Sequence, residues 1–172
     1  MKKKNIFLRV DSGVEIGFGH IMRCLALAKE IKKFDFNVYF ISKENKGNII
    51  KHVEEQGFKV FRLKITKFQS SKTNWKADSD ATSKIIQKFK SDENLILVDN
   101  YNLSIMWEKK MKKIVKKIIV IDDLLNRNHD CDLFIDQSIN RKIGNNVPKK
   151  CKRLLGPKYA LLRKEFSKRN QK

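Results

Sequence analysis

The sequence contains only three cysteines, Cys24, Cys131 and Cys151, and they lie far apart in the chain. None of them belongs to a C-x-x-C pair, so the spacing indicates neither a zinc site nor a disulfide framework. We therefore predict that all three are reduced thiols in or near the core. No other group of side chains in the sequence suggests a metal site.

Long apolar runs are also lacking. No stretch approaches the roughly 18 consecutive apolar residues that a membrane-spanning helix needs. The basic N-terminus, MKKKNIFLRVD, carries an apolar stretch that is too short for the core of a signal peptide. From these features we expect a cytoplasmic protein with no membrane partner.

Acidic residues are scarce, with 19 Asp and Glu against 39 Lys and Arg, which gives a formal net charge of +20. A charge of this size can indicate nucleic-acid binding. However, the basic residues are mostly lysines scattered along the whole chain, and the sequence has no zinc knuckle, RNP-like motif or basic strand interleaved with aromatics. We therefore expect no nucleic-acid partner, although the positive field would attract an anionic substrate such as a nucleotide.

The 172 residues, 41% of them hydrophobic, are enough for one folded domain with a substantial core, and we expect residues 1–172 to form a single domain. Short apolar runs alternate with amphipathic stretches. Predicted strands cover residues 5–10, 37–42, 58–63, 94–100, 117–122 and 132–137, and predicted helices cover 20–34, about 48–56, 77–90 and 103–115. A turn at Gly156-Pro157 and a short terminal helix should follow. This order predicts an α/β fold: a Rossmann-like, doubly wound, mainly parallel sheet with helices on both faces.

Polar residues follow several of these strands, namely Asp11, Asp99, Tyr101, Asp122 and Asp123. Open α/β sheets bind their ligands at the carboxyl ends of the strands. The sequence IGFGH, residues 16–20, belongs to the same edge because it follows the first strand. We therefore expect the functional site there.

The IGFGH loop places two glycines, Gly17 and Gly19, and a histidine, His20, just before the first helix. The free amides and the dipole at a helix N-terminus favour anions, and a neutral imidazole can act as a general base near pH 7. The dinucleotide fingerprint G-x-G-x-x-G fails because Met22 replaces the third glycine, and no phosphate-binding G-x-x-x-x-G-K-[ST] loop occurs. From spacing alone, a structural turn with an incidental histidine is an equal alternative.

The remaining polar residues have structural alternatives too. Asp99 and Tyr101 either contact a substrate or serve as a helix cap and a half-buried ring. Asp122 and Asp123 are adjacent and should point to opposite sides of the strand, which favours capping or loop anchoring over a paired acid and base. His129, in the polar segment NRNHDCD, is predicted to lie on the surface or to anchor a loop.

Four stretches occur in an order that is more specific than any one of them. They are RVDSGVEIGFGHIMRCLALA, VDNYNL with a tryptophan six residues after its tyrosine, VIDDLLNRNHDCDLFIDQ and LLGPKYALLRKEF. Together they resemble the N-terminal domain of the PseG-like nucleotide-sugar hydrolases. That family cleaves UDP-2,4-diacetamido-2,4,6-trideoxy-β-L-altropyranose in pseudaminic acid biosynthesis, and it is loosely similar to GT-B glycosyltransferases. The resemblance covers essentially the whole chain.

The resemblance implies a mechanism and a set of site residues. His20 would act as the general base on a water that attacks the anomeric carbon, so that UDP leaves and the configuration inverts. Tyr101 and Asp99 would line the sugar site, and Asp11, Gly17 and Gly19 would shape the loop around the UDP-sugar substrate. No cofactor and no metal are implied.

The family has a second Rossmann-like domain that supplies most of the nucleotide contacts. We therefore expect a separate C-terminal-domain chain as a partner, or else a remnant that no longer turns over substrate. Two other functions stay open on the sequence: a GT-B glycosyltransferase domain that uses an acceptor hydroxyl instead of water, and a non-catalytic binding module.

Overall fold

The computed structural model describes residues 4–64, 75–139 and 143–162, and a parallel sheet forms its centre. The strands are β1 (Lys4–Val10), β2 (Phe36–Lys43), β3 (Lys59–Leu63), β4 (Leu95–Asp99), β5 (Lys117–Ile121), β6 (Leu133–Asp136) and β7 (Lys152–Leu155). They pair in the order β3-β2-β1-β4-β5-β6-β7, and every pair is parallel. The predicted Rossmann-like, doubly wound sheet is confirmed.

Helices cover both faces of this sheet. They are α1 (Gly19–Ile31), α2 (Ile50–Glu55), α3 (Trp75–Ile86) and α4 (Ile105–Met111), and a 3-10 turn follows at Pro157–Tyr159. Because side chains alternate along a strand, Ile6 and Leu8 pack with α1 and α2, whereas Phe7 packs with α3 and α4. Within the described ranges, no helix combines the length and the apolar character needed to cross a membrane.

The predicted elements match the structure where the local sequence signal is strong, and one strand was missed where it is weak. Helix α2 ends as predicted before Gly57, whose φ of 80° is the left-handed conformation that favours glycine after a helix. Strand β7 was not predicted, because Lys152 and Arg153 give this edge strand neither an apolar run nor an alternating pattern. The predicted turn at Gly156-Pro157 is present, and the predicted terminal helix extends into residues 163–172, outside the described residues.

The thiol prediction is confirmed, since all three cysteines are buried and none forms a disulfide. Cys24 lies on the buried face of α1. Cys131 and Cys151 lie next to each other beside β6 and β7, with their sulfur atoms 3.4 Å apart.

The strand order changes direction at the adjacent pair β1 and β4. The chain runs outwards from β1 through β2 to β3 on one side, and from β4 through β5 and β6 to β7 on the other. The connections on either side of this point therefore diverge, which opens a crevice at the carboxyl ends of β1 and β4. The residues that follow these two strands are Asp11 and Asn100.

A buried arginine connects β1 with the helices behind it. The guanidinium of Arg9, fully buried within the sheet, contacts both oxygens of Asp11 at 2.6 and 2.8 Å and both oxygens of Asp78, on α3, at 3.1 and 2.7 Å. Trp107 of α4 also donates to Asp78, over 3.0 Å. Burial alone would raise the pKa of Asp78, but the charge of Arg9 outweighs it and lowers that pKa. Arg9 therefore joins β1, α3 and α4 through ionised groups that have no access to water.

We predict that Arg9→Met destabilises the protein by about 3–5 kcal/mol, because it removes the cation between two buried acids and leaves Asp78 with Lys43 alone. Chemical denaturation followed by circular dichroism gives the free energy of unfolding. Arg62→Met is the matched control: Arg62 pairs with Glu54 on the exposed surface, so its loss should change stability little. Equal losses in the two variants would contradict this account of the core.

Candidate active site

His20 and Asp99 meet at the crevice between β1 and β4. His20 is the second residue of α1, and Asp99 is the last residue of β4. The Nδ1 atom of His20 lies 2.7 Å from Oδ1 of Asp99, whose side chain is completely buried, while the imidazole is 12% exposed. The structure thus brings together two predicted site residues that are 79 positions apart in the chain.

The position of the proton on His20 follows from its partner. Asp99 is ionised at neutral pH: burial would raise its pKa, but hydrogen bonds from Arg23 and His20 outweigh burial and lower it. Nδ1 of His20 also lies 3.1 Å from Nη2 of Arg23, but the shorter contact is the one to Asp99. A carboxylate only accepts hydrogen bonds, so this shorter contact assigns the proton to Nδ1 of His20. In the neutral imidazole the lone pair then lies on Nε2, which has no hydrogen-bond partner among the residues that the structure describes. This is the arrangement of an imidazole that a carboxylate orients for general-base catalysis.

Arg23 holds the same carboxylate from the next turn of α1. Its Nε and Nη2 atoms donate to the two oxygens of Asp99, each over 2.6 Å, and its Nη1 atom donates to Asp123 over 3.0 Å. Sequence reasoning missed Arg23, although its position three residues after His20 places both side chains on one helix face. Arg23 therefore fixes Asp99 and ties the end of β4 to the segment after β5.

Tyr101 lies directly beside the histidine. Its ring meets the His20 ring edge to face, with the ring centres 4.4 Å apart, and its hydroxyl donates to Asp123. The guanidinium of Arg127 covers the Tyr101 ring at 5.4 Å. Burial and, next, the hydrogen bond to Asp123 raise the pKa of Tyr101 to about 12, so the phenol keeps its proton at neutral pH.

The loop before α1 leaves the helix N-terminus open. Gly17 has a φ of 79° and exchanges backbone hydrogen bonds with Gly13, which closes a tight turn. Gly19 begins the helix, and a side chain there would meet no described atom within 4 Å. Within the described part of the chain, no side chain caps α1 after Phe18, so its first amides are free to meet an anion.

Asp11 is buried, and groups of the protein itself bind its carboxylate. Besides Arg9, its carboxylate accepts hydrogen bonds from the Lys43 amide and from the Asn100 side chain, both over 2.7 Å. Asp11 therefore lies beneath the crevice and holds the ends of β1, β2 and β4 together. A direct contact with substrate stays a prediction for Asp11, as it does for Gly17 and Gly19.

Asp122 and Asp123, the two acids after β5, point in different directions, as the sequence suggested. Only Asp123 faces the candidate site. Asp122 is buried and anchors the segment that follows it, through Leu124 and His129. Asp123 turns to the crevice and contacts Arg23 and Tyr101, a role that sequence reasoning did not assign. For His129, the surface alternative is wrong: its side chain is fully buried and anchors this loop.

The segment that leads to His20 carries exposed apolar side chains. Val14, Ile16 and Phe18, all in the loop before α1, are exposed, Phe18 to 46%. Tyr101 is 36% exposed on the other side of His20. No group of three or more potential metal ligands occurs in the described ranges.

The chain is similar to known proteins in sequence and in fold. No protein-family model matches the chain. The chain is 30% identical over 166 residues to UDP-2,4-diacetamido-2,4,6-trideoxy-beta-L-altropyranose hydrolase of Campylobacter jejuni, a match that covers 94% of this chain and 53% of that enzyme. The resemblance to the PseG-like hydrolases is confirmed.

Two further proteins are similar to the chain, one in sequence and one in fold. An uncharacterised protein of Methanocaldococcus jannaschii is 29% identical over 171 residues, which are 95% of this chain and 32% of that protein. The chain therefore spans about half, or a third, of the length of these curated relatives. Acinetobacter baumannii MurG shares the fold, with a TM-score of 0.58 and 12% identity over 88% of this chain and 44% of MurG. The fold is thus that of one half of a GT-B-type architecture.

We predict that Asp99 makes stability depend on pH in the acid range. Because its pKa is lower in the folded protein than in the unfolded chain, unfolding takes up a proton as the pH falls below about 4. The stabilisation is complete above that pH and is lost progressively below it. Chemical denaturation between about pH 3 and about pH 6 should show a steeper acid loss for the wild type than for Asp99→Asn. Parallel pH curves for the two proteins would contradict the assignment.

We also predict that Asp123→Asn lowers the pKa of Tyr101 from about 12 towards the ordinary value of about 10. The change removes the negative charge that disfavours the tyrosinate. The pH dependence of the Tyr101 ring carbon signals in NMR spectra measures it, and Tyr101→Phe identifies those signals among the three tyrosines. An unchanged midpoint would mean that Asp123 does not hold the phenol proton.

Proposed function

We propose that this chain is the catalytic, N-terminal-type domain of an enzyme that hydrolyses a UDP-linked 2,4-diacetamido-2,4,6-trideoxy sugar, in a pathway of the pseudaminic acid type. The observation that carries the proposal is the orientation of His20. Its Nδ1–H is bound to the buried Asp99, and Nε2 is left without a described partner at the open end of α1. The similarity to the Campylobacter jejuni hydrolase supports the substrate class.

In this proposal, Nε2 of His20 takes a proton from a water molecule as the water oxygen attacks the anomeric carbon. The bond between that carbon and the β-phosphate oxygen breaks, and its electron pair leaves with UDP. Attack from the side opposite to the leaving group inverts the anomeric configuration. The proton then passes from His20 to solvent, so the products are the free sugar, UDP and a proton.

The surrounding residues have supporting roles. Asp99 and Arg23 keep the imidazole from rotating, and positioned base catalysis is typically worth about 10²- to 10⁴-fold in rate. The protonated hydroxyl of Tyr101, beside His20, lines the sugar site. The free amides of α1 and the net charge of +20 favour the approach of an anionic diphosphate.

We further propose that a second Rossmann-like domain provides most of the contacts with the nucleotide. Binding energy from the part of the substrate that does not react is what positions the reacting centre. The chain should therefore bind UDP-sugar more tightly when the remaining half of the Campylobacter jejuni enzyme is added as a separate chain. Isothermal titration calorimetry with and without that second chain measures the gain.

We predict that His20→Gln reduces UDP release by about 10²- to 10⁴-fold, because the glutamine can keep a contact to Asp99 but cannot accept the proton from water. Phosphorus NMR follows UDP, and proton NMR identifies the first anomer of the free sugar. His52→Gln, a change of an exposed histidine on α2, is the matched control and should leave the rate unchanged.

Three results would overturn the proposal. Equal UDP release by wild type and His20→Gln would remove the assigned role of His20. No release by the wild type, with or without the second domain, would favour a chain that does not turn over substrate. A glycoside formed with a sugar acceptor, in place of free sugar, would indicate a glycosyltransferase.

A further inference from the structure

His129 occupies a position that the proposed reaction does not use. It lies in the loop between β5 and β6, and its ring is fully buried against Phe134. The Nδ1 atom is 2.6 Å from Oε1 of Glu108, on α4, and the Nε2 atom is 3.0 Å from Oδ2 of Asp122, at the end of β5. Both ring nitrogens therefore face carboxylates.

The other oxygens of these carboxylates also accept hydrogen bonds. Oε2 of Glu108 accepts from the Asp130 amide, and Oδ1 of Asp122 accepts from the Leu124 amide over 3.0 Å. The two oxygens that face the ring belong to the same two groups, and a carboxylate oxygen only accepts, so two carboxylates require both ring nitrogens of His129 to donate. A neutral imidazole has one N–H and could serve only one carboxylate, whereas an imidazolium serves both.

The charges around the ring agree with this arrangement. Burial would lower the pKa of His129, but the hydrogen bonds to Asp122 and Glu108 outweigh burial and raise it. Arg127 contacts Asp122 at 3.2 Å and adds a second cation to the cluster. Asp130, another acid in the loop, is paired with Lys112, the residue after α4.

The loop that His129 anchors carries two groups to the candidate active site. Asp123 accepts a hydrogen bond from Tyr101 and forms an ion pair with Arg23, and Arg127 covers the Tyr101 ring. Residues 122–132, between β5 and β6, contain no helix, so contacts with neighbouring segments determine the path of the loop. They include backbone hydrogen bonds from Ile105 to Asn128 and from His129 to Asn146, as well as side-chain contacts. The side-chain contacts of His129 reach both α4 and the residue after β5.

We propose that His129 is a positioning residue: as an imidazolium that bridges Glu108 and Asp122, it holds the β5–β6 loop so that Asp123 and Arg127 stay against Tyr101. It touches no reacting atom. The functional value of this positioning rests on the proposed function of the site, but the ionic bridge itself does not.

Nitrogen NMR of the labelled chain tests the bridge directly. At neutral pH both ring nitrogens of His129 should carry protons, and these protons should exchange slowly with water because the ring is buried. His52, exposed on α2, serves as the solvent-facing reference histidine. One unprotonated ring nitrogen in His129 would overturn the proposal.

Two variants then test the positioning. His129→Gln removes the cation, and Glu108→Gln keeps the shape of its partner but removes one negative charge. Both should shift the ring signals of Tyr101 and the Nε–H signal of Arg23, while the amide signals of β2 and β3 stay unchanged. Glu108→Gln should in addition lower the pKa of His129, so that the ring loses its second proton at a lower pH than in the wild type.

The outcomes separate this proposal from the proposed function. Unchanged Tyr101 and Arg23 signals in Glu108→Gln would refute the positioning role even if His129→Gln failed to fold. In active preparations, His129→Gln should lower kcat more than it raises KM, because the change misplaces the sugar site without touching the nucleotide contacts. A doubly protonated His129 in a chain that cleaves no UDP-sugar would leave the bridge intact and refute only the hydrolase.

Discussion

The buried carboxylate of Asp99 is the constraint on which the site depends. It ends β4 at the point where the sheet order reverses, and it accepts hydrogen bonds from His20 and from two nitrogens of Arg23. Because it is completely buried, it must be paired with a cation, and Arg23 supplies that cation. One carboxylate thus fixes the position of α1 relative to β4 and the direction in which the imidazole presents its second nitrogen.

Three layers of charge support this arrangement. Beneath the crevice, Arg9 joins Asp11 and Asp78 inside the sheet. At the crevice, Arg23 joins Asp99 and Asp123. Beside it, His129 joins Glu108 and Asp122. In each layer a cation lies between two acids from different elements, so buried pairing can fix the relative positions of segments that local backbone bonding leaves free.

Much of the fold could be predicted because its signals are local. Buried strands such as β4 and β5 are apolar runs, and Gly57 marks the end of α2. Strand β7 could not be predicted from its own residues, two of which are charged. It forms because it pairs with β6. The boundaries of an edge strand depend on its neighbour more than on its own sequence.

The site was predictable in part for the same reason. The loop at residues 16–20 and the strand ends at Asp99 and Tyr101 have recognisable local patterns, and topology alone brings them to one edge. Arg23, Asp123 and His129 could not be assigned, because their roles arise from partners between 7 and 100 positions away. An arginine on an amphipathic helix or a histidine in a polar segment has the same sequence pattern whether it faces solvent or a buried acid.

The central claim is that Asp99 orients His20 so that Nε2 is the available base. Nitrogen NMR of the wild-type chain, with the histidine ring nitrogens labelled, tests it most directly. For the neutral ring of His20, the account predicts a proton on Nδ1 and none on Nε2, and a change of this pattern in Asp99→Asn. A neutral His20 with its proton on Nε2 and an unprotonated Nδ1 would contradict the account.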